Sequence, residues 1–483
     1  MSRTMKTMFL KPPSYSGFDG GAGSRYQARR EIRSFWYPTW LAQPAAMVEG
    51  SQLIDAPAHD LGLDDVLVQL PRFELVVIHT STPSYESDAR LAREMKERRP
   101  DLVIGMVGPH ASVLPQKALE GCPELDFVGR REFDYSTKAI AEGTPLENVR
   151  GISYRAPDGT IRHNPDAPTI EDLDALPHVV DVYKRDLTVE DYYIGYLLHP
   201  YVSLYTGRGC PARCTFCLWP QTIGGHTYRT RSPENVLAEM TKAHRYFPQV
   251  KEFCFDDDTF TANLTRARRI AEGLKKLGVT WSCNSRANVP YEHLKFLKDC
   301  GLRLLLVGYE TGNEQMLKRI EKGVTLETAR RFTRDCKDLG IRIHGTFILG
   351  LPLETRESIE ETINFACELD PDTIQVSVAA AYPGTKMYQD AIANQWFVEG
   401  TLVGGEGYQE VVLKYPGATT ADISEGADRM YRRFYFRPRK IASILGQMVT
   451  DVHELGRRLR EGREFLGYLW SRRRKAVRAA PAP

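Results

Sequence analysis

The sequence has no long hydrophobic run. None of its 483 residues falls in an apolar stretch near the ~20 residues that cross a bilayer. Met1-Ser2-Arg3-Thr4-Met5-Lys6 leads only into Thr7-Met8-Phe9-Leu10, too short for the core of a secretory signal. It also lacks a strong charge balance: 64 basic and 62 acidic residues leave +2, so bulk charge gives no argument for nucleic acid. Paired cysteines are missing as well. Six of the nine cysteines are scattered (Cys122, Cys254, Cys283, Cys300, Cys336 and Cys367). Such a set excludes a disulfide framework and fits reduced thiols in a cytoplasmic protein. What remains is globular, 42% hydrophobic and 26% charged, and long enough for roughly two to four domains.

Three cysteines break the scatter, in the run Gly207-Arg208-Gly209-Cys210-Pro211-Ala212-Arg213-Cys214-Thr215-Phe216-Cys217. Crowded thiols in such a chain point to a metal. Zinc sites combine two Cys or His pairs. Here no second pair exists, and His226 is the candidate fourth ligand. Three thiolates on one short loop suit an iron–sulfur cluster with one iron left open, because closed electron-transfer clusters take four. Spacing alone leaves cluster, zinc and structural thiols as readings.

The first ~145 residues read as an open α/β domain. Predicted strands are Thr7–Leu10, Gln52–Ala56, Glu74–His79, Leu102–Val107 and Asp126–Val128, with a helix over Ser87–Arg99. Leu75-Val76-Val77-Ile78 suits a parallel strand buried on both faces. The strand ends carry small or polar loops, the usual place for a ligand in such sheets. Ser14 to Arg33 is a long segment rich in glycine, aromatics and arginine, including Gly20-Gly21-Ala22-Gly23. It reads as a lid or a substrate contact. Residues 146–195 are expected to hold a hairpin and a linker, with Val149–Tyr154 and Thr160–His163 flanking Pro157-Asp158-Gly159.

A second alternating series fills 196–395. Predicted strands are Val202–Tyr205, Glu252–Phe255, Thr280–Cys283, Leu304–Gly308, Ile341–Leu349 and Thr373–Val378, with helices such as Pro233–Tyr246 and Leu264–Leu277. Six units predict a partial (β/α)6 barrel, whose site belongs at the carboxyl ends of its strands. The cysteines follow the first. Beyond Trp396 the pattern reads as helical. Ile441, Leu445, Met448, Val452, Leu455 and Leu459 form one apolar stripe. Residues 429–478 carry fifteen Lys/Arg against four acids and include Arg472-Arg473-Arg474-Lys475, with Phe465, Leu466, Leu469 and Trp470 nearby. Such an end fits either an anionic membrane surface or a docking helix with a solvated tail.

Cys210-Pro-Ala-Arg-Cys214-Thr-Phe-Cys217 resembles the signature of the radical S-adenosylmethionine (SAM) superfamily. Phe255-Asp256-Asp257-Asp258-Thr259-Phe260, Gly308-Tyr309-Glu310-Thr311-Gly312, Gly345-Thr346-Phe347-Ile348-Leu349-Gly350-Leu351-Pro352 and Tyr382-Pro383-Gly384-Thr385 resemble its later strand ends, in order. The resemblance spans roughly 200–390. It implies a [4Fe–4S] cluster on Cys210, Cys214 and Cys217 whose open iron chelates SAM. Reductive cleavage then yields a 5′-deoxyadenosyl radical that takes hydrogen from the substrate. It places Phe216, Asp257, Arg286, Gly308, Glu310 and Gly350 in the SAM region. The residues themselves leave plainer roles open: rim ion pairs for Glu310 and Arg286, a helix cap for the aspartates.

Val107-Gly108-Pro109-His110 and Val128-Gly129-Arg130-Arg131-Glu132 resemble strand ends of the cobalamin-binding domain found in one subgroup. That resemblance implies cobalamin against Thr80, Ser81, Gly108, His110 and Gly129. The chain departs from cobalamin proteins in lacking Asp-x-His-x-x-Gly, and Arg130-Arg131-Glu132 replaces the usual Gly-Glu-x-Glu. The opening stretch from Phe9 to Trp40 resembles the hopanoid-biosynthesis-associated radical SAM proteins. It implies contraction of the glucosamine ring of a bacteriohopanetetrol conjugate to the cyclitol ether. The same two domains suit a cobalamin-dependent radical SAM methyltransferase on a lipid or other small molecule. A non-catalytic metal-binding scaffold is the third reading. The implied partners are a small-molecule or lipid-linked sugar substrate and a reductant such as a flavodoxin or ferredoxin. No nucleic acid is implied. Peripheral contact with the inner membrane face through the C-terminus is the accompanying expectation.

Overall fold

The computed structural model describes residues 4–13, 34–400, 402–403, 409–450, 456, 459–464 and 466–467, with 447–450 as backbone. The Ser14–Arg33 segment, with Gly20–Gly23 and most of the opening resemblance, lies outside the described residues. So do Val452, Leu455, Phe465, Leu469, Trp470 and Arg472–Lys475.

The architecture is α/β. The first sheet contains β1 (Thr7–Lys11), β2 (Gln52–Asp55), β3 (Leu75–His79), β4 (Val103–Val107), β5 (Phe127–Gly129), β6 (Ile152–Arg155) and β7 (Ile161–His163). Its order is β2-β1-β3-β4-β5-β6-β7. The first five strands run parallel. Every residue of β1 and β3 is buried, which is why their sequences read as continuous apolar runs. The expected hairpin forms, and it extends this sheet: β6 pairs antiparallel with β5, and β7 with β6. Strand order reverses between β1 and β3, so the carboxyl ends of these two strands flank the crevice where doubly wound sheets bind ligands.

The second sheet holds β8 (Tyr201–Leu204), β11 (Glu252–Phe255), β12 (Trp281–Ser285), β13 (Leu302–Glu310), β14 (Arg342–Leu349) and β15 (Thr373–Val378). Between β8 and β11 lie β9 (Gly207–Arg208) and β10 (Arg229–Thr230), a short antiparallel pair. The sheet order β15-β14-β13-β12-β11-β8, all parallel, is the expected partial barrel. Most crossover helices are specified locally, although Tyr291–Asp299 starts at Pro290 without a side-chain cap. Ser232, Asn263, Thr325 and Thr355 cap helix N-termini through their side chains.

A half-barrel leaves two strand edges open, and unpaired edges invite aggregation. Here tyrosine hydroxyls close them. At β8, Tyr37 donates to the Tyr201 carbonyl at 2.8 Å and Tyr183 to the Ser203 carbonyl at 3.1 Å. At β15, the Ile374 and Val376 amides donate to Tyr435 (3.0 Å) and Tyr431 (2.8 Å). The last two stand on the helix Thr420–Tyr435, which buries Ile423, Met430 and Phe434 against the barrel. The chain does not turn helical at Trp396. The described residues between 397 and 418 make isolated bridges, Phe397 to Leu413 and Thr355 to Gly417 among them. Helix begins at Thr420, where Thr419 and Asp422 form a capping box.

Candidate functional site

The cysteine loop leaves β8 and is held by its own backbone. Gly209 has φ +85°, and a Cβ there would lie 2.3 Å from the Thr227 carbonyl oxygen, so only glycine fits. The Cys210 amide donates to Gly225 (3.2 Å) and the Thr215 amide to Ile320 (3.0 Å). The Gln221 side chain gathers the carbonyls of Cys214 (3.3 Å), Thr215 (3.2 Å) and Cys217 (2.7 Å). His226 turns to the Ala212 carbonyl at 3.0 Å and does not line the cavity.

That cavity, of about 310 Å³, lies at the carboxyl ends of the barrel strands. Cys210, Cys214 and Cys217 line it, with Phe216, Arg286, Gly308 and Glu310. All three thiols are free. Burial pushes the Cys210 thiol up to about 11, with the Asp258 carboxylate and the Cys214 thiol adding to it. Burial likewise pushes Cys217 well up, and Asp258, Cys214 and Cys210 add to that. Three thiolates so placed need a cationic group to neutralise them. Among the described residues, no three His, Cys, Asp or Glu side chains gather as they would around a single ion. The donors are soft thiolates facing one shared space. They fit an iron–sulfur cluster.

Beside them β13 is bent on purpose. Its pairing with β14 slips between Gly308 and Glu310, and Glu310 has φ +66°, a strained conformation for a residue with a side chain. The bend carries the Glu310 carboxylate to Lys322 Nζ at 2.6 Å, with both side chains under a tenth exposed. Burial opposes the Lys322 charge, but Glu310 and the Cys214 thiol together hold the amine above its ordinary range. A Cβ on Gly308 would lie 2.2 Å from Glu310 Oε1 and 2.9 Å from Lys322 Nζ. On the SAM-region role that the sequence resemblance implies for Gly308 and Glu310, Gly308→Ala is expected to break this pair and weaken SAM binding by roughly tenfold or more while leaving the fold intact. Equilibrium dialysis with labelled SAM checks it. The Arg286 guanidinium donates to the Lys322 carbonyl, so Arg286, Lys322 and Glu310 form one unit.

Two expected SAM-region residues are not in the cavity wall. Asp257 is fully buried. It accepts from the Thr206 amide (2.5 Å) and hydroxyl (2.6 Å) and from Tyr228 (2.6 Å), and its neighbour Asp258 lines the cavity instead. Gly350, at φ +83°, faces Ile423 of the C-terminal helix, and its carbonyl accepts from Tyr415 at 2.9 Å. It permits that packing. The strands β14 and β15 supply residues that were not anticipated: Thr346, Gln375 and Ser377 form an uncharged polar wall, with Ile348 beside them.

Thr80, Ser81, Gly108, His110 and Gly129 lie elsewhere, at the carboxyl ends of β3, β4 and β5. Gly108 has φ +112°, and a Cβ there would meet the Thr80 carbonyl at 2.3 Å. The His110 ring stacks on Tyr85 at 4.4 Å. Its Nδ1 sits 3.3 Å from Thr82 Oγ1. At the crevice, His79 is 8% exposed and its Nε2 has no hydrogen-bond partner. Burial, then Lys11, pushes the imidazole down to about 4. A neutral nitrogen without a protein partner, at strand ends where Gly108 lets the backbone pack closely on Thr80 and His79, fits a bound cofactor such as cobalamin. This face abuts the cysteine loop: a Cβ on Gly384 would meet Val113 at 2.6 Å and Thr222 at 3.0 Å.

Sequence reading missed the lock between the two domains. Glu132, the apparent departure after β5, bonds Arg208 at 3.1 Å and Arg229 at 2.9 and 3.0 Å. Arg208 also grips Asp134 at 2.8 and 3.0 Å. All four side chains are at most 7% exposed. Arg208 stands two residues before Cys210, so the lock fixes the cysteine loop to the first domain.

Residues 204–366 match the model of the radical SAM superfamily. The chain is 31% identical to an uncharacterised methyltransferase of Pyrococcus horikoshii, over 90% of this chain and 94% of that one. It is 28% identical to the anaerobic magnesium-protoporphyrin IX monomethyl ester cyclase of Rubrivivax gelatinosus, over 80% and 70%. Its fold is similar to that of the cobalamin-dependent SAM radical enzyme OxsB, solved with aqua-cobalamin and SAM (TM-score 0.70, 17% identity, 95% of this chain and 72% of that one). It is similar too to the radical SAM methyltransferase TsrM from Kitasatospora setae, solved with cobalamin and a [4Fe–4S] cluster (TM-score 0.69, 15% identity, 96% and 99%).

Proposed function

The chain belongs to the radical SAM superfamily, and from that premise we propose that it is a cobalamin-dependent radical SAM enzyme acting at an unactivated carbon of a polar or lipid-borne small molecule. One observation carries the reading: three free cysteines on one loop, at the carboxyl end of the first barrel strand, face a single cavity. Cys210, Cys214 and Cys217 would hold a [4Fe–4S] cluster which, with SAM, supplies a 5′-deoxyadenosyl radical able to take hydrogen from such a carbon. Thr80, Ser81, Gly108, His110 and Gly129, with His79, would hold cobalamin, which supplies a transferable methyl group or one-electron chemistry at cobalt.

The chain's own residues bind and orient. Glu310, Lys322 and Arg286 present fixed charge beside the cysteines for the polar end of SAM. Thr346, Gln375 and Ser377 offer neutral hydrogen bonds to the substrate. Phe216, Leu306 and Ile348 keep water from the reacting carbon.

Methyl transfer is the reaction that the Pyrococcus horikoshii relative and the TsrM fold support by their names. Ring contraction of a glucosamine-bearing hopanoid to the cyclitol ether is the second reading. The Phe9–Trp40 resemblance favours it. Anaerobic turnover with SAM, a flavodoxin or ferredoxin as reductant and the glucosamine-bearing hopanoid separates the two by product mass. Methylation adds a carbon, whereas contraction adds none. A dependence on added cobalamin is expected, and turnover unchanged without it would remove cobalamin from the account.

A further inference from the structure

The exposed apolar side chains of the described C-terminal region lie beyond the last helix packed on the barrel. Phe436 (52%), Ile441 (41%), Leu445 (54%), Leu459 (59%) and Leu466 (55%) face solvent. The preceding helix behaves differently and buries its apolar residues. Ile441 and Leu445 stand on the helix Pro438–Thr450, whose first turn is clamped. Lys440 Nζ reaches Asp370 at 3.0 Å and the Pro371 carbonyl at 2.6 Å, and Arg437 reaches Asp370 at 2.6 Å. Further on, Glu461 is buried and accepts from the Tyr193 hydroxyl, while Arg460 lies 4.6 Å over the Tyr193 ring. Both ends of this region are thus pinned to the body with Ile441, Leu445, Leu459 and Leu466 outward. A docking helix would have turned them inward.

Charge identifies what covers this face. Of the fifteen Lys/Arg that residues 429–478 carry against four acids, Arg429, Arg433, Arg437 and Lys440 are paired with Glu360 or Asp370, whereas Arg439, Arg460 and Arg463 are exposed. A second copy would bring the same positive charge and be repelled. An anionic bilayer attracts the arginines and accepts the leucines at its headgroup boundary. No helix among the described residues is long and apolar enough to cross a membrane, so the contact is peripheral. We propose that this C-terminal face docks on an anionic lipid surface, whichever reaction the barrel performs.

The test is co-sedimentation of the full chain with phosphatidylcholine vesicles, with and without phosphatidylglycerol. Binding only to the anionic vesicles, weakened by salt, is expected. The double variant Ile441→Asp/Leu445→Asp should bind on the order of tenfold more weakly or worse. The control Val68→Asp, an apolar position 73% exposed on the first domain, should bind as the parent does. Circular dichroism confirms that each variant is folded. Equal binding to neutral vesicles would overturn the proposal, as would unchanged binding of the double variant. A concentration-dependent dimer that the double variant abolishes would assign the face to a second copy and overturn it too.

Discussion

Cys214→Ala is expected to leave a folded protein that holds no [4Fe–4S] cluster and forms 5′-deoxyadenosine roughly a thousandfold more slowly or not at all. Cys214 is 7% exposed and lines the cavity beside Cys210, Cys217 and Lys322. Its backbone is tied by Gln221 rather than by the thiol, so removing the sulfur leaves the loop in place. Iron content and the visible absorption band after anaerobic reconstitution read the cluster, and far-ultraviolet circular dichroism reads the fold. A variant that keeps the cluster and the rate would take Cys214 out of the ligand set.

Glu132→Ala should have the largest effect on stability. It leaves the Arg208 and Arg229 guanidinium groups buried with less opposing charge. Breaking such a buried network from one side costs about 3–5 kcal/mol. Arg208 keeps Asp134, whereas Arg229 keeps only carbonyl acceptors, at Ile170 and Gly224. The urea midpoint should fall by the corresponding amount. The variant should also take up less iron, since Arg208 leads into the cysteine loop. A loss below about 1 kcal/mol would mean that the network is no more than a surface pair.

Much of this fold was legible because strands such as β1, β3 and β11 are buried on both faces and several barrel helices start on side-chain caps. Glu252–Phe255 and Thr373–Val378 are strands where the apolar pattern put them, and Pro233–Tyr246 and Leu264–Leu277 are helices with the expected bounds. The cysteine loop was legible from spacing. What escaped depends on contacts between distant segments. Three successive aspartates do not reveal which one faces a cavity, and the Thr206 and Tyr228 bonds draw Asp257 inward while Asp258 turns to the cavity. Gly350 looks in sequence like any strand-end glycine, but its neighbour Ile423 is more than seventy residues away. Glu132 read as a departure from a cofactor motif because its partners stand on β9 and β10 of the next domain. The tyrosines closing the barrel edges carry no local signal, since each serves a strand distant in sequence.

Cys210, Cys214 and Cys217 are expected to support radical generation from SAM. Anaerobically reconstituted protein, given SAM and a strong reductant, should release 5′-deoxyadenosine, identified by mass spectrometry, and release none when the reductant is omitted. A protein that takes up its full complement of iron and sulfide yet forms no 5′-deoxyadenosine under these conditions would contradict the account.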